Sequence, residues 1–251
     1  MKTNNTIFKV LKGETKKMGT NKKTARLAGL IWLLMFVFGP IAQIIRSKIF
    51  VTDDMAATAQ NIMSNELLFR LGFVSDLIMM VLLLLLPLIL YKLFQSVNKN
   101  LSILMVVFVM VSVPINMLNL LNEFAAVHLL SGVEYLKAIG ADQLTANAML
   151  SYDLYLHGYE IANVFFALWL IPLGLLVYKS DFLPKILGIL LVIGGCGLLL
   201  EVFIYFLLPG NETINTLLLI PQTISEFVFL IWVLVKGINE SKVKVTHRMI
   251  S

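Results

Sequence analysis

Six apolar runs, at about 27–45, 67–94, 101–130, 151–178, 184–208 and 216–236, dominate the sequence and limit what it can become. A hydrocarbon layer about 30 Å thick is crossed by roughly 20 residues of helix rising 1.5 Å each, and every run meets or closely approaches that length. With 59% apolar and 14% charged residues, the 251-residue chain carries more apolar surface than one soluble core can hide; soluble domains run at about 45–50% and about 25%. The expected fold is all-α: an integral membrane bundle of six transmembrane helices. Disordered, collagen-like and disulfide-scaffold classes are excluded by the same composition. The lone Cys196 lies in an apolar run and reads as a small packing residue. No small-residue cleavage site follows the first run, so it reads as a retained helix. Pro40, Pro87, Pro114, Pro172 and Pro221 interrupt five of the six runs, which bundled membrane helices tolerate because neighbours re-satisfy the freed carbonyls.

Basic residues set the expected orientation. Eight Lys and Arg precede the first run, from Lys2 to Arg26; Lys92, Lys99, Lys179, Lys185, Lys236, Lys242, Lys244 and Arg248 fall on the same side of a six-span chain. Arg46, Lys48 and Lys137 fall opposite, with Arg70 near that boundary. The positive-inside rule then predicts both termini in the cytoplasm. The formal charge of +5 is accounted for by this topology, so nucleic acid is not an expected partner. Residues 1–24 are expected as a basic cytoplasmic tail, 25–236 as the transmembrane domain and 237–251 as a second basic tail. The short inner turns predict that the second and third, and the fourth and fifth, helices are antiparallel neighbours. The two longer outer loops read as short helices, one capped by Asp53 or Asp54 and one preceded by Ser131; either a lid or a plain interfacial connector fits them.

Ionisable side chains deep in a span are expensive unless they pair, face the bundle interior or function. Spans two to six each carry at least one: Asp76, Glu123, the group Asp153, His157 and Glu160, then Glu201 and Glu226. Counting along each run puts Asp76, Glu123, His157, Glu160, Glu201 and Glu226 about 9–18 Å below the outer end. Asp153, His157 and Glu160 stack on one helix side at i, i+4 and i+7. Ser112, Asn116, Asn119 and Glu123 make a polar stripe with the same period. Gly194 and Gly197 share a face with Glu201, and Gln222 is one turn from Glu226. One polar cavity in the outer half of the membrane is the expectation, formed by Asp76, Asn116, Asn119, Glu123, Asp153, His157, Glu160, Glu201 and Glu226.

Such a cavity admits several functions. The leading expectation is a non-enzymatic protein that binds or moves a cation or a lipid headgroup, since carboxylates deep in a membrane suit cations and protons. The alternative is a metal-dependent intramembrane hydrolase acting on a lipid, with His157, Glu160, Glu123 and Asp76 holding a divalent metal. A third reading gives the acids only a structural role, hydrogen-bonded to Asn and Tyr to fix helix packing. Walker, dinucleotide, GxSxG and kinase motifs are absent from the sequence.

Several segments occur together in order: Lys23-Thr24-Ala25-Arg26-Leu27-Ala28-Gly29-Leu30, Leu68-Phe69-Arg70-Leu71-Gly72 with Val74-Ser75-Asp76-Leu77, Leu156-His157-Gly158-Tyr159, Trp169-Leu170-Ile171-Pro172-Leu173-Gly174, and Tyr178-Lys179-Ser180 through Leu183-Pro184-Lys185-Ile186-Leu187-Gly188. Across roughly residues 22–235 the pattern resembles an uncharacterised bacterial multi-pass membrane family, domain of unknown function 4386. The resemblance implies a single integral domain in a bacterial plasma membrane. It brings no activity and no catalytic residues.

Overall fold

The computed structural model describes the backbone of residues 3–51 and 54–239, and the side chains of these except 3–21, 55, 56 and 212. The expected cap Asp53, the basic side chains before Lys22, and Lys242, Lys244 and Arg248 therefore lie outside the described residues. The elements are α1 (Thr3–Ile49), α2 (Met55–Ser64), α3 (Glu66–Phe94), α4 (Lys99–Leu130), a 3-10 turn (Glu134–Ala138), α5 (Ala141–Lys179), α6 (Lys185–Leu207) and α7 (Glu212–Val235). No strand occurs among the described residues. Among the described residues six helical segments are long and apolar enough to cross a membrane: Lys22–Ile49, Glu66–Phe94, Lys99–Leu130, Ala141–Lys179, Lys185–Leu207 and Thr213–Val235. The chain is thus an all-helical, multi-pass membrane protein whose environment is a lipid bilayer.

The chain packs as two compact units, one of residues 34–84 with 109–166, the other of residues up to Leu33, 85–108 and from Ala167 on. In the first unit α1, α3, α4 and α5 form a ring of antiparallel neighbours. Ser75 of α3 donates to the Phe38 carbonyl of α1, two residues before Pro40. Phe69 and Phe73 of α3 lie 6.4 and 5.6 Å from Phe124 of α4, ring centre to ring centre. Ser112 and Asn119 of α4 donate to the Ala162 and Tyr155 carbonyls of α5. Phe50, just past α1, stacks on Tyr152 of α5 at 3.9 Å. Ile49, Phe50, Ile62, Phe69, Ala126, Val127 and Ala148 close one end of this ring with a buried apolar cluster.

Helix α2 is pinned to that end. Its N-cap is Asp54, whose carboxylate accepts from the Ala57 N–H at 2.8 Å, as the sequence allowed. Asn61 donates to the Lys48 and Ile49 carbonyls, and Thr58 exchanges hydrogen bonds with Val51, so α2 satisfies groups that the end of α1 leaves open. The second connection differs from expectation. Ser131 caps nothing; its hydroxyl donates back to the His128 carbonyl, and the turn that follows has no side-chain cap. Leu144 belongs to α5, which starts at Ala141, ten residues before the apolar run, because helix-compatible Ala, Leu, Gln and Met fill the polar stretch.

In the other unit α1, α5, α6 and α7 pack through small residues. A Cβ on Gly174 of α5 would lie 2.6 Å from the Gly188 carbonyl oxygen, and one on Gly188 of α6 2.6 Å from the Tyr178 nitrogen, so the two backbones touch where neither carries a side chain. Gly195 of α6 turns to Ala167 and Leu170 of α5, while Gly194 and Gly197 turn to Gln222 and Leu218 of α7. Cys196 falls on the third side and is exposed, which corrects its reading as a packing residue. After α7 the chain reverses at Gly237 (φ 66°), whose N–H reaches the Trp232 carbonyl at 3.1 Å. Ile238 is buried and the Asn239 N–H donates to the Phe182 carbonyl at 3.0 Å.

The glycine contact makes a direct prediction. Gly174→Ala should lower stability by about 1–3 kcal/mol through overpacking, whereas Gly39→Ala, whose Cβ would meet nothing nearer than 3.9 Å, should be neutral or stabilising by up to about 1 kcal/mol. Thermal unfolding of the two purified variants in one mild detergent checks this.

Candidate functional site

The first unit buries a charge cluster built on three helices. Arg46 of α1, Asp76 of α3 and Glu123 of α4 are 8%, 6% and 3% exposed. Arg46 grips Glu123 with two N–H groups, Nε to Oε1 at 2.8 Å and Nη2 to Oε2 at 3.3 Å. Nη2 also pairs with Asp76 Oδ2, and Nη1 donates to Gln43 Oε1 at 2.8 Å. The guanidinium carbon lies 4.9 Å from the centre of the Tyr155 ring on α5, so the cation also rests on an aromatic face. Side-on pairing of guanidinium with carboxylate is the strong, directional form of this interaction, and a flexible ammonium cannot reproduce it. Two carboxylates on one guanidinium leave a formal charge of −1.

Close backbone approach lets these chains meet. On the α1–α3 seam Gly72 accepts Ile45, whose γ2 carbon would sit 2.9 Å from a Cβ there. On the α4–α5 seam a Cβ at Gly158 would fall on the Asn119 amide, so the glycine is what lets Asn119 Nδ2 reach the Tyr155 carbonyl at 2.7 Å. Asn119 Oδ1 in turn accepts from Asn122 at 3.1 Å. Asn116, on the same face of α4, is 6% exposed, and its side-chain amide has no hydrogen-bond partner among the described residues.

The remaining expected residues lie elsewhere. Asp153 and His157 are exposed and Glu160 is half-buried; the buried side of α5 carries Ala148, Tyr155 and Ala162. The His157 ring Nδ1 donates to the Asp153 carbonyl at 2.7 Å, and Glu160 accepts from Asn163 at 3.1 Å. Among the described residues no three His, Cys, Asp or Glu side chains are arranged to hold a metal ion, so the set His157, Glu160, Glu123 and Asp76 does not fit one. Glu201 and Glu226 belong to the other unit, each 3% exposed. Glu226 accepts from Gln222 Nε2 at 2.8 Å and from the Trp32 indole at 3.3 Å. Trp32 is itself packed on Trp169 and Phe229, with ring centres 5.5 and 5.3 Å away.

Sequence reasoning missed Arg46. The apolar run ends at Ile45, which places Arg46 in a loop, but α1 continues to Ile49 and carries it inside. The signal that finds it is charge balance: two acids on neighbouring helices call for a cation at similar depth, and Arg46 is the basic residue at the C-terminal end of the first run.

A family model described as "Domain of unknown function (DUF4386)" matches residues 27–237 of the chain. No curated protein and no solved structure matches.

Removing one member of a buried ion pair strands the other. Arg46→Gln should therefore cost about 3–5 kcal/mol, with Arg46→Lys recovering only part of it. The thermal midpoint in detergent reads both; a wild-type midpoint in Arg46→Gln would mean that the two acids are solvated.

Proposed function

The chain belongs to the family described as domain of unknown function DUF4386, and because that description carries no activity we propose a function from the geometry: the protein binds a small cation beside Arg46, Asp76 and Glu123. The observation that carries this reading is the uncompensated negative charge. Three groups no more than 8% exposed sum to −1 rather than zero. In a low-dielectric interior a surplus charge is costly, and a cation or proton removes that cost. Asn116 adds a neutral amide without a protein partner on the same helix face as Glu123, and an amide oxygen is a ligand hard cations accept.

The distribution of Lys and Arg supports a placement with both termini in the cytoplasm, and the family resemblance supports a bacterial plasma membrane as the location. With both termini inside, the Arg46 end of α1 faces outward, and the cation would arrive from outside. Carriage across the membrane is the extension of this reading. The purely structural reading is favoured by one observation, that every nitrogen of the Arg46 guanidinium already has a partner.

A titration separates the two. If a cation binds, the thermal midpoint of the wild type rises saturably with sodium, potassium or calcium but not with choline. Glu123→Gln, which removes the surplus charge and keeps the Arg46–Asp76 pair, abolishes that response. Midpoints indifferent to every cation, equally in both proteins, would leave the cluster as a packing device. Uptake of the active cation into proteoliposomes then tests carriage.

A further inference from the structure

At the end of the first unit that bears α2, a cavity of about 330 Å³ opens between α2, the start of α3 and the end of α4. Met63, Glu66, Phe69, Arg70, Phe124 and His128 form most of its wall. Because α3 begins at Glu66 and α4 ends at Leu130, the cavity lies where spanning helices leave the hydrocarbon, at the depth of lipid headgroups. Its volume is near the lower end of the roughly 300–1,000 Å³ typical of ligand pockets. That is room for a headgroup and its glycerol, not for a whole lipid.

The walls divide by chemistry. Glu66 and Arg70, one helical turn apart, are paired with both side chains about 60% exposed. Arg70 Nε and Nη2 both donate to the same oxygen, Glu66 Oε1, at 3.0 and 2.6 Å. Arg70 Nη1 and Glu66 Oε2 are left without another hydrogen-bond partner among the described residues. A cationic donor edge and an anionic acceptor oxygen thus stand side by side. Behind them is an aromatic floor: Phe69 and Phe124 with ring centres 6.4 Å apart, and His128 stacked on Phe124 and bonded to the Tyr135 hydroxyl. Met63 of the wall is exposed, as are Leu67 and Leu71, each the next residue in the chain after a wall residue, so acyl chains can continue there.

We propose that this cavity seats the headgroup of a zwitterionic, amine-bearing phospholipid. The phosphodiester accepts from Arg70 Nη1, the primary ammonium donates to Glu66 Oε2, and the glycerol with the upper acyl carbons lies on Phe69 and Phe124. The Glu66–Arg70 pair sums to zero charge, which suits a zwitterion better than an anionic lipid. A quaternary choline has no N–H to donate to Glu66, so the site discriminates between the two zwitterionic headgroups. The proposal uses none of the residues of the Arg46 cluster and stands or falls separately from cation binding.

Native mass spectrometry of the detergent-solubilised protein, titrated with phosphatidylethanolamine, phosphatidylcholine and phosphatidylglycerol of identical acyl chains, tests it. The wild type should hold the ethanolamine lipid with roughly ten-fold preference over the choline lipid, about the worth of one charge-assisted hydrogen bond. Arg70→Gln should lose the bound lipid, and Glu66→Gln should level ethanolamine with choline while still binding both. Both residues are exposed, so thermal midpoints near wild type show that the variants fold. Equal binding of the three lipids, preference for the glycerol lipid, or an unchanged preference in Arg70→Gln overturns the proposal. Displacement of the lipid by soluble phosphoethanolamine at similar concentration would overturn a membrane source and point to a water-soluble phosphate ester.

Discussion

A guanidinium withdrawn from water must be matched by anions in fixed positions, and Arg46 imposes that condition on the unit that contains it. Its partners come from three helices: Gln43 on its own, Asp76 on α3 and Glu123 on α4, with the Tyr155 ring of α5 against its face. A shift of any helix by one residue, about 1.5 Å, would take a bond of 2.8 Å out of range. Interhelical register in a lipid-facing protein gets little help from apolar contacts, because lipid tails are as apolar as leucine. The small residues at Gly72 and Gly158 and the serine and asparagine donors to neighbouring carbonyls are the means by which the helices come close enough for the charge cluster to close.

The two units treat buried acids differently. Asp76 and Glu123 are answered by a cation, whereas Glu226 is answered by two neutral donors, an indole and an amide. The indole that serves Glu226 is fixed between Trp169 and Phe229, so the acceptor geometry there is set by aromatic packing rather than by ion pairing. The glycines of α6 have a matching role: they place α7 against a helix without side chains at the contact, which leaves Ser225 to donate to its own helix at Gln222 rather than across a gap.

The spans were legible because length and apolarity decide them with little reference to tertiary structure. The Asp54 cap was legible because it is local. Which side of a helix faces inward was not. Asp153, His157 and Glu160 share one side by period alone, but the same period also runs through Ala148, Tyr155 and Ala162, and burial goes to the latter set. Periodicity gives relative direction, and only the neighbours give the absolute one. Asp76 and Glu123 were legible as expensive residues, while their partner was hidden by a boundary drawn at the last apolar residue. Apolar runs report where hydrocarbon begins to be tolerated, whereas helices continue until a capping group stops them, as Asn61 and Thr58 do for α1.

A buried ion pair is by itself weak evidence of anything but its own geometry, since apolar side chains of similar volume often stabilise as well. What separates the Arg46 cluster from such a pair is its stoichiometry. A register device needs one acid for one arginine, and a second acid at 3% exposure adds repulsion that the guanidinium must offset again. Helix register could be specified more cheaply by the Asn119 and Ser112 bonds already present on the same stripe. The surplus carboxylate is therefore unexplained by packing, and so is the amide of Asn116 on the stripe that carries it. Both become ordinary if a cation shares the interior with Arg46: the charge is then balanced, and the amide oxygen has a partner.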